Sequence, residues 1–485
     1  MRRLVSALLV STCCVAGVAQ DTAITATCDS CKEQPSFPRR LWRAYHDEFF
    51  PTKDDKPGED KPEPYRRALP APFGSPFPSS EWQGFPLVGL PPSDTTYPLM
   101  NAIYDGPNGE WIKESRIKTY GWVNASGNFS TSKESNTPSS YWVKPNSFVL
   151  NQGLIRFERE LDTAQTDHMD WGFRSTHFYG IDYRYTSAGG YFSDQLLVNN
   201  HLYGYDPTEQ YVQLYVPGVA RGLILTAGRW IATPDIETQF APDNYMATHS
   251  LQFTVDVYTQ TGLMAAVMLD EQWTLQAAIH AGADMAPWYE GAIPTGMFGV
   301  RWVSKDNCDS VYTVLNAINN AEFRYFDVRG VPSGHHNYNI LQSTWQHKFC
   351  DDLITKTEGY IMWERNAAVG GTPSIGPVQF NSGGGLGPTV PGISLTYGFL
   401  NYTMVKLSDK AFMTVRNEWM KDENGTRYGY AGNYTSNSIG FTYNVNSVLQ
   451  VRPEIGYYRN WNNPAFDNGQ RQEMLMGGFD VTMRF

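Results

Sequence analysis

The last seven residues given, Phe479-Asp-Val-Thr-Met-Arg-Phe485, constrain the fold more than any other stretch. Successive side chains of a strand point to opposite faces. Phe479, Val481, Met483 and Phe485 therefore share one face, and Asp480, Thr482 and Arg484 share the other. An ordinary sandwich strand can read this way. A closed barrel in lipid requires it, because its outer side chains meet acyl chains and its inner ones a wet lumen. Phe485 falls at the membrane interface, where aromatic side chains form a girdle, and is expected to serve the barrel-assembly machinery as a signal.

Five further segments repeat the alternation. Trp273, Leu275, Ala277 and Ile279 oppose Thr274, Gln276 and His280. Leu353, Gly359, Ile361 and Trp363 oppose Lys356, Glu358 and Glu364. Met413, Val415 and Trp419 oppose Thr414, Arg416 and Glu418. Ile439, Phe441 and Tyr443 oppose Ser438, Gly440 and Thr442, and Leu449, Val451, Ile455 and Tyr457 oppose Gln450, Arg452 and Glu454. Pro453 lies inside the last of these and costs a ladder hydrogen bond unless it sits at a bulge.

Each segment adjoins a short turn, such as Leu269-Asp-Glu-Gln, Cys350-Asp-Asp, Leu407-Ser-Asp-Lys or Val445-Asn-Ser. Long polar loops lie between, near 182–208, 231–258, 319–336, 365–392, 421–432 and 459–472. Short turns on the periplasmic side and long loops outside are the pattern of an outer-membrane meander. Candidate strands run from 116–127 to 473–485. They number about sixteen, with fourteen or eighteen open, so the fold class is an all-β, transmembrane antiparallel up-and-down β-barrel. The 209–216 strand and the 295–319 hairpin are its weakest members.

Composition agrees with a wall that is only half apolar: aromatics make up 14% and glycines number 43. Beyond the N-terminus no run approaches the roughly 18 apolar residues of a spanning helix. The net charge of −11 argues against nucleic acid as a partner.

Residues 1–19 read as a signal peptide: Arg2 and Arg3, an apolar Leu4–Val15, then Gly17-Val-Ala19. A lipoprotein reading is weakened by Thr12 before Cys13. Residues 20–110 form a Pro-rich periplasmic extension, mostly irregular, with one short helix over 97–104. It either tethers the barrel or folds into its mouth. Residues 111–485 form the barrel. Cys28 and Cys31 suit a local disulfide better than a redox or metal site, since no second cysteine pair completes one. Cys308 and Cys350 fall in short turns on one side, and are either bridged or two free thiols.

Gly121-Trp-Val-Asn-Ala-Ser-Gly-Asn-Phe-Ser130 resembles the β-barrel porin family described as OmpL-like, as do Asp182-Tyr-Arg-Tyr185, Gly228-Arg-Trp230, Thr261-Gly-Leu263, Arg452-Pro-Glu-Ile455 and the final Phe485. The resemblance covers roughly 115–485 and implies a bacterial outer-membrane barrel. It supports the fold more than any solute.

Polar faces turned inward would place Asp170, Arg174, Arg301, Lys356, Glu358, Arg416, Glu418, Arg452, Glu454, Asp480 and Arg484 along a pore. Both signs are present. They either set up a field across a water-filled channel or pair into ladders that brace the wall. In general porins of about sixteen strands the third outer loop folds inward; by that resemblance 231–258, with Asp235, Glu237 and Asp243 and the preceding Arg229, is expected to narrow the pore and favour cations.

Catalysis has little support. His280 with Asp284, and His335-His336, are isolated starts with no nucleophile beside them and no further metal ligand. No phosphate cradle occurs, no cofactor or metal is implied, and no enzyme is expected. The reading is a passive channel for small polar solutes or ions in outer-membrane lipid, with a homotrimer open. The alternative is a non-conducting barrel that binds at the surface or braces the envelope.

Overall fold

The computed structural model describes residues 35–51, 87–192, 195, 201–232, 236–319, 339–370 and 387–485. Residues 1–19, expected to be a signal peptide, and Cys28, Cys31, Asp235 and His335-His336 lie outside the described residues. Alternating apolar and polar side chains form sixteen strands that close into one antiparallel barrel. They are β1 (Ile117–Ser130), β2 (Phe148–Arg159), β3 (Asp170–Gly180), β4 (Gly204–Val216), β5 (Leu223–Ile231), β6 (Thr259–Met268), β7 (Trp273–His280) and β8 (Thr295–Val303), followed by β9 (Asp309–Ile318), β10 (Asn339–Cys350), β11 (Leu353–Arg365), β12 (Ile393–Ser408), β13 (Ala411–Asp422), β14 (Gly432–Asn444), β15 (Leu449–Asn460) and β16 (Glu473–Arg484). Every strand pairs with its sequence neighbours, and β16 returns to β1.

The seam rests on the terminal residue. Phe485 N donates to Gly121 O at 2.9 Å, and Gly121 N to Phe485 O at 3.1 Å. A Cβ on Gly121 would stand 2.8 Å from the Phe485 ring and 1.9 Å from Leu154 O, so glycine makes room for the closure.

The outward faces carry the apolar residues that alternation assigns to them. Trp171, Trp273, Phe349 and Tyr443 are exposed near the short turns, and Phe129, Phe148, Tyr179 and Trp461 near the long loops. These are the two aromatic girdles of a barrel in lipid. Pro453 stays within the ladder: β14 pairs Gly440 with Glu454 and Tyr443 with Val451, and the ladder skips the positions between, where proline has no N–H to offer.

Helices precede the barrel. They are α1 (Phe37–Phe49), α2 (Pro98–Tyr104) and α3 (Gly109–Glu114). The α2 helix was expected from sequence, whereas α1 falls where proline and charge suggest little regular structure. Residues 87–97 form a strap in the short-turn mouth. Val88 is buried. Gly89 N donates to Thr163 O at 3.1 Å, and Thr163 N to Leu90 O at 3.0 Å.

Cys308 and Cys350 are free thiols, so the bridge considered between them is not formed. They lie on neighbouring strand ends, but Lys348, two residues short of Cys350, is the residue that bonds Cys308, through its backbone N–H at 2.8 Å. The two sulfurs are therefore offset along the ladder rather than directly opposed.

Candidate functional site: the lumen and its inward loop

The loop between β5 and β6 does not stay outside. Its described part, 236–258, is almost wholly buried and carries a 3₁₀ turn (Ala241–Asp243) and a short helix, α5 (Leu251–Val255), after α4 (Tyr183–Thr186) in the preceding outer loop. Its tip reaches the short-turn mouth, where Arg484 bonds Pro242 O at 3.4 Å. Ser250 caps α5 by accepting from Phe253 N at 3.1 Å.

Wall charges of β11 to β16 hold this loop. Arg416 donates to Thr248 O at 2.9 Å and Thr248 Oγ1 at 3.0 Å, with Glu454 at 3.4 Å. Glu454 accepts from Thr248 N at 2.8 Å. Glu418 accepts from Leu251 N and Gln252 N, both at 2.8 Å. Glu358 accepts from Gln252 and, at 2.6 Å, from Thr344 on the wall. Arg452 is paired with Asp480 and donates to Ala241 O at 2.7 Å and Asn244 O at 3.1 Å. Lys356 lies over the Tyr245 ring, 4.9 Å from its centroid. Each of these charges faces inward as alternation requires, yet each is covered by the loop instead of facing open water.

Glu237 is likewise an anchor. It accepts from Ser250 N at 2.8 Å and from the Ser250 and Tyr402 hydroxyls. Burial pushes its carboxyl up to about 7, against the pull of the Arg416 guanidinium. His249 stacks on Tyr141 at 3.9 Å, and burial drives its imidazole far below the ordinary range, so it is neutral.

The remaining expected residues scatter. Arg229 belongs to β5, not to the loop, and pairs with Asp206 at 2.9 Å. Asp170 accepts from Arg116 at 2.8 Å and Arg159 at 3.0 Å at the short-turn rim. Arg301 is buried on β8. Asp284 accepts from Thr259 N at 2.7 Å, and His280 bonds Gly282 O at 3.1 Å, so the two are spent on local backbone. Among the described residues, no three His, Cys, Asp or Glu side chains are placed to hold a metal.

Across the lumen, β2 to β4 carry a second set of charges. Arg156 meets Glu209 at 2.7 Å, and Arg174 meets Glu158 at 2.8 Å and Glu209 at 3.3 Å. Glu158, Arg174 and Glu209 border a cavity of about 250 Å³ between the strap and β2–β6, lined also by Tyr211, Gln213, Thr226 and Trp230. A second cavity of about 180 Å³, lined by Tyr97, Lys118, Tyr120, Arg156, Asp243 and Arg484, lies between the strap and the loop tip. Sequence reading named only Arg174 of the ladder. Arg156 and Glu158 stand at the same i, i+2 spacing as Arg416 and Glu418, a signal that was available.

A family model for β-barrel porin-2, OmpL-like, matches residues 116–485. The chain belongs to that family, and it is an outer-membrane barrel. The family match starts one residue before β1 and leaves the strap and α1–α3 outside. No curated protein matches the chain in sequence. Similar solved structures include an anion-selective porin from Comamonas acidovorans (6% identity, TM-score 0.47, covering 76% of this chain and 99% of that one). Others are the trimer form of OmpT from Vibrio cholerae (10%, 0.45, 76% and 99%) and the channel DcaP of Acinetobacter baumannii (11%, 0.45, 76% and 97%).

Proposed function

We propose that this porin-family barrel passes small polar solutes or ions passively, along the β2–β6 side of its lumen. The observation that carries the reading is the exposed end of the ladder: Arg174 is 24% exposed beside a cavity, while Arg416 on the opposite wall is fully buried under the loop. A wall of about sixteen strands is wide enough for an inward loop and a water path together. Acids and bases alternate along the cavity wall, so a passing solute meets both signs and is oriented rather than strongly sorted. The cation preference expected from the loop acids weakens on this reading, because Glu237 is used to dock the loop.

The lipid-facing band and the Phe485–Gly121 seam support outer-membrane lipid and the assembly machinery as partners. A homotrimer fits a barrel of this class. The dense packing of 236–258 favours one alternative, a barrel sealed by its loop that acts in surface binding or envelope structure. Planar-bilayer recording of the refolded protein decides: stepwise currents of low ion selectivity support the channel, and inserted protein that passes no current favours the sealed barrel.

A further inference from the structure

The helix α1 is amphipathic in an unusual sense. Its docking face, Arg40, Leu41, Ala44, Tyr45 and Glu48, is only partly buried. Arg40 donates to Ala102 O at 2.8 Å, Tyr45 to Arg484 O at 3.3 Å, and Asn446 to Glu48 O at 3.2 Å. The opposite face carries the larger apolar groups. Trp42 and Phe50 are 65% and 68% exposed, and they form one ridge with His46, ring centroids 5.1 Å apart at each step. Phe49 is exposed beside it, Arg39 and Arg43 lie along it, and Asp47 pairs with Arg43 at 3.8 Å.

A soluble helix buries such rings. One that leaves Trp and Phe in water between arginines has the composition of a helix that lies in a membrane interface. The site of docking selects which surface. Asn446 and Arg484 are at the short-turn rim, next to the outward-facing Tyr443 and Met483, so α1 continues the lipid-facing band of the wall. Arginine beside aromatic rings suits a phosphate-bearing, anionic headgroup layer.

We infer that α1 is a membrane-interface anchor, seated by its Trp42–His46–Phe50 ridge and by Arg39 and Arg43 in the anionic headgroups of the periplasmic leaflet. It holds the N-terminal segment beside the mouth, which a free tether would not.

The test uses the full chain refolded into vesicles of phosphatidylethanolamine with phosphatidylglycerol, all six cysteines (Cys13, Cys14, Cys28, Cys31, Cys308 and Cys350) being replaced by serine. A spin label is placed at Phe50→Cys, and separately at Asp409→Cys, an exposed turn residue on the same side. Oxygen and a water-soluble nickel complex compete for collisions. The label at 50 is expected about 5–10 Å below the headgroup boundary, favouring oxygen, while the label at 409 favours nickel. Equal nickel access at both sites overturns the inference. So does dipolar broadening between labels at 50, which means that a second copy covers the ridge. Arg39→Glu with Arg43→Glu lies on the exposed face and leaves the barrel intact by its heat-modifiable gel migration; it is expected to shift label 50 toward water. No shift overturns the headgroup part of the proposal.

Discussion

The two sides of the lumen use the same residue types for opposite ends. On β11–β16, Glu358, Arg416, Glu418, Arg452 and Glu454 spend their hydrogen bonds on the loop, largely on its backbone. On β2–β4, Arg156, Glu158, Arg174 and Glu209 pair with one another across strands; Glu158, Arg174 and Glu209 border one cavity, and Arg156 with Glu158 a second. Inward alternation alone predicts one uniform charged pore. The loop breaks that symmetry: where it lies, charges become anchors, and where it does not, they remain a wall for solutes. A buried charge is tolerable only with full pairing, which explains why the anchors have so many partners.

Predictions that break the comparison begin with the anchors. Arg416→Ala leaves Glu454 without its guanidinium under the loop and should cost about 3–5 kcal/mol of loop docking. Single-channel conductance is expected to rise and the loop to become protease-sensitive; unchanged values would remove the anchor role. Next is the strap. Val88→Asp puts a charge into its buried slot, at a cost of several kcal/mol. The strap should leave the mouth, and conductance should rise while barrel stability stays as it was.

Acidity sharpens the same comparison. Glu237 has its docked value raised above its ordinary 4.5, so the docked loop binds the extra proton. The Glu237 contribution to docking is therefore largest at low pH and is lost as pH rises from about 4.5 to about 7, while His249, held neutral in the docked loop, acts in the opposite sense below its ordinary 6.5. Glu237→Gln should remove the Glu237 part of the pH dependence of conductance and leave the His249 part. The smallest effect belongs to the ladder. Glu158→Gln with Glu209→Gln should move the reversal potential toward anions, because Arg156 and Arg174 lose their counter-charges. A shift toward cations would contradict the assigned path.

The wall was legible in the sequence, because a period of two is local: β13 and β16 follow from their own residues. The loop's inward turn came from resemblance, not from its residues, and the anchoring contacts of Glu237 were not legible in them. Glu237 looks like a pore acid until Tyr402 and Ser250 are seen around it, and Tyr402 is 165 positions away. Arg416 with Thr248, and Arg427 with Glu364, are pairs of the same kind, fixed by the path of the loops and not by spacing. The α1 helix was hidden by its surroundings, since its docking face, Leu41, Tyr45 and Glu48, is short and mixed in character.

The most direct test is cysteine accessibility during single-channel recording, in a background with the native cysteines replaced by serine. Gln213→Cys and Thr226→Cys sit on the cavity side, and Thr414→Cys and Thr442→Cys sit under the loop, where both native hydroxyls bond Tyr245 O. A charged methanethiosulfonate reagent should lower the current at the first pair and leave the second unchanged. Modification at 414 and 442 with no effect at 213 and 226 would put the path on the other side and contradict the account.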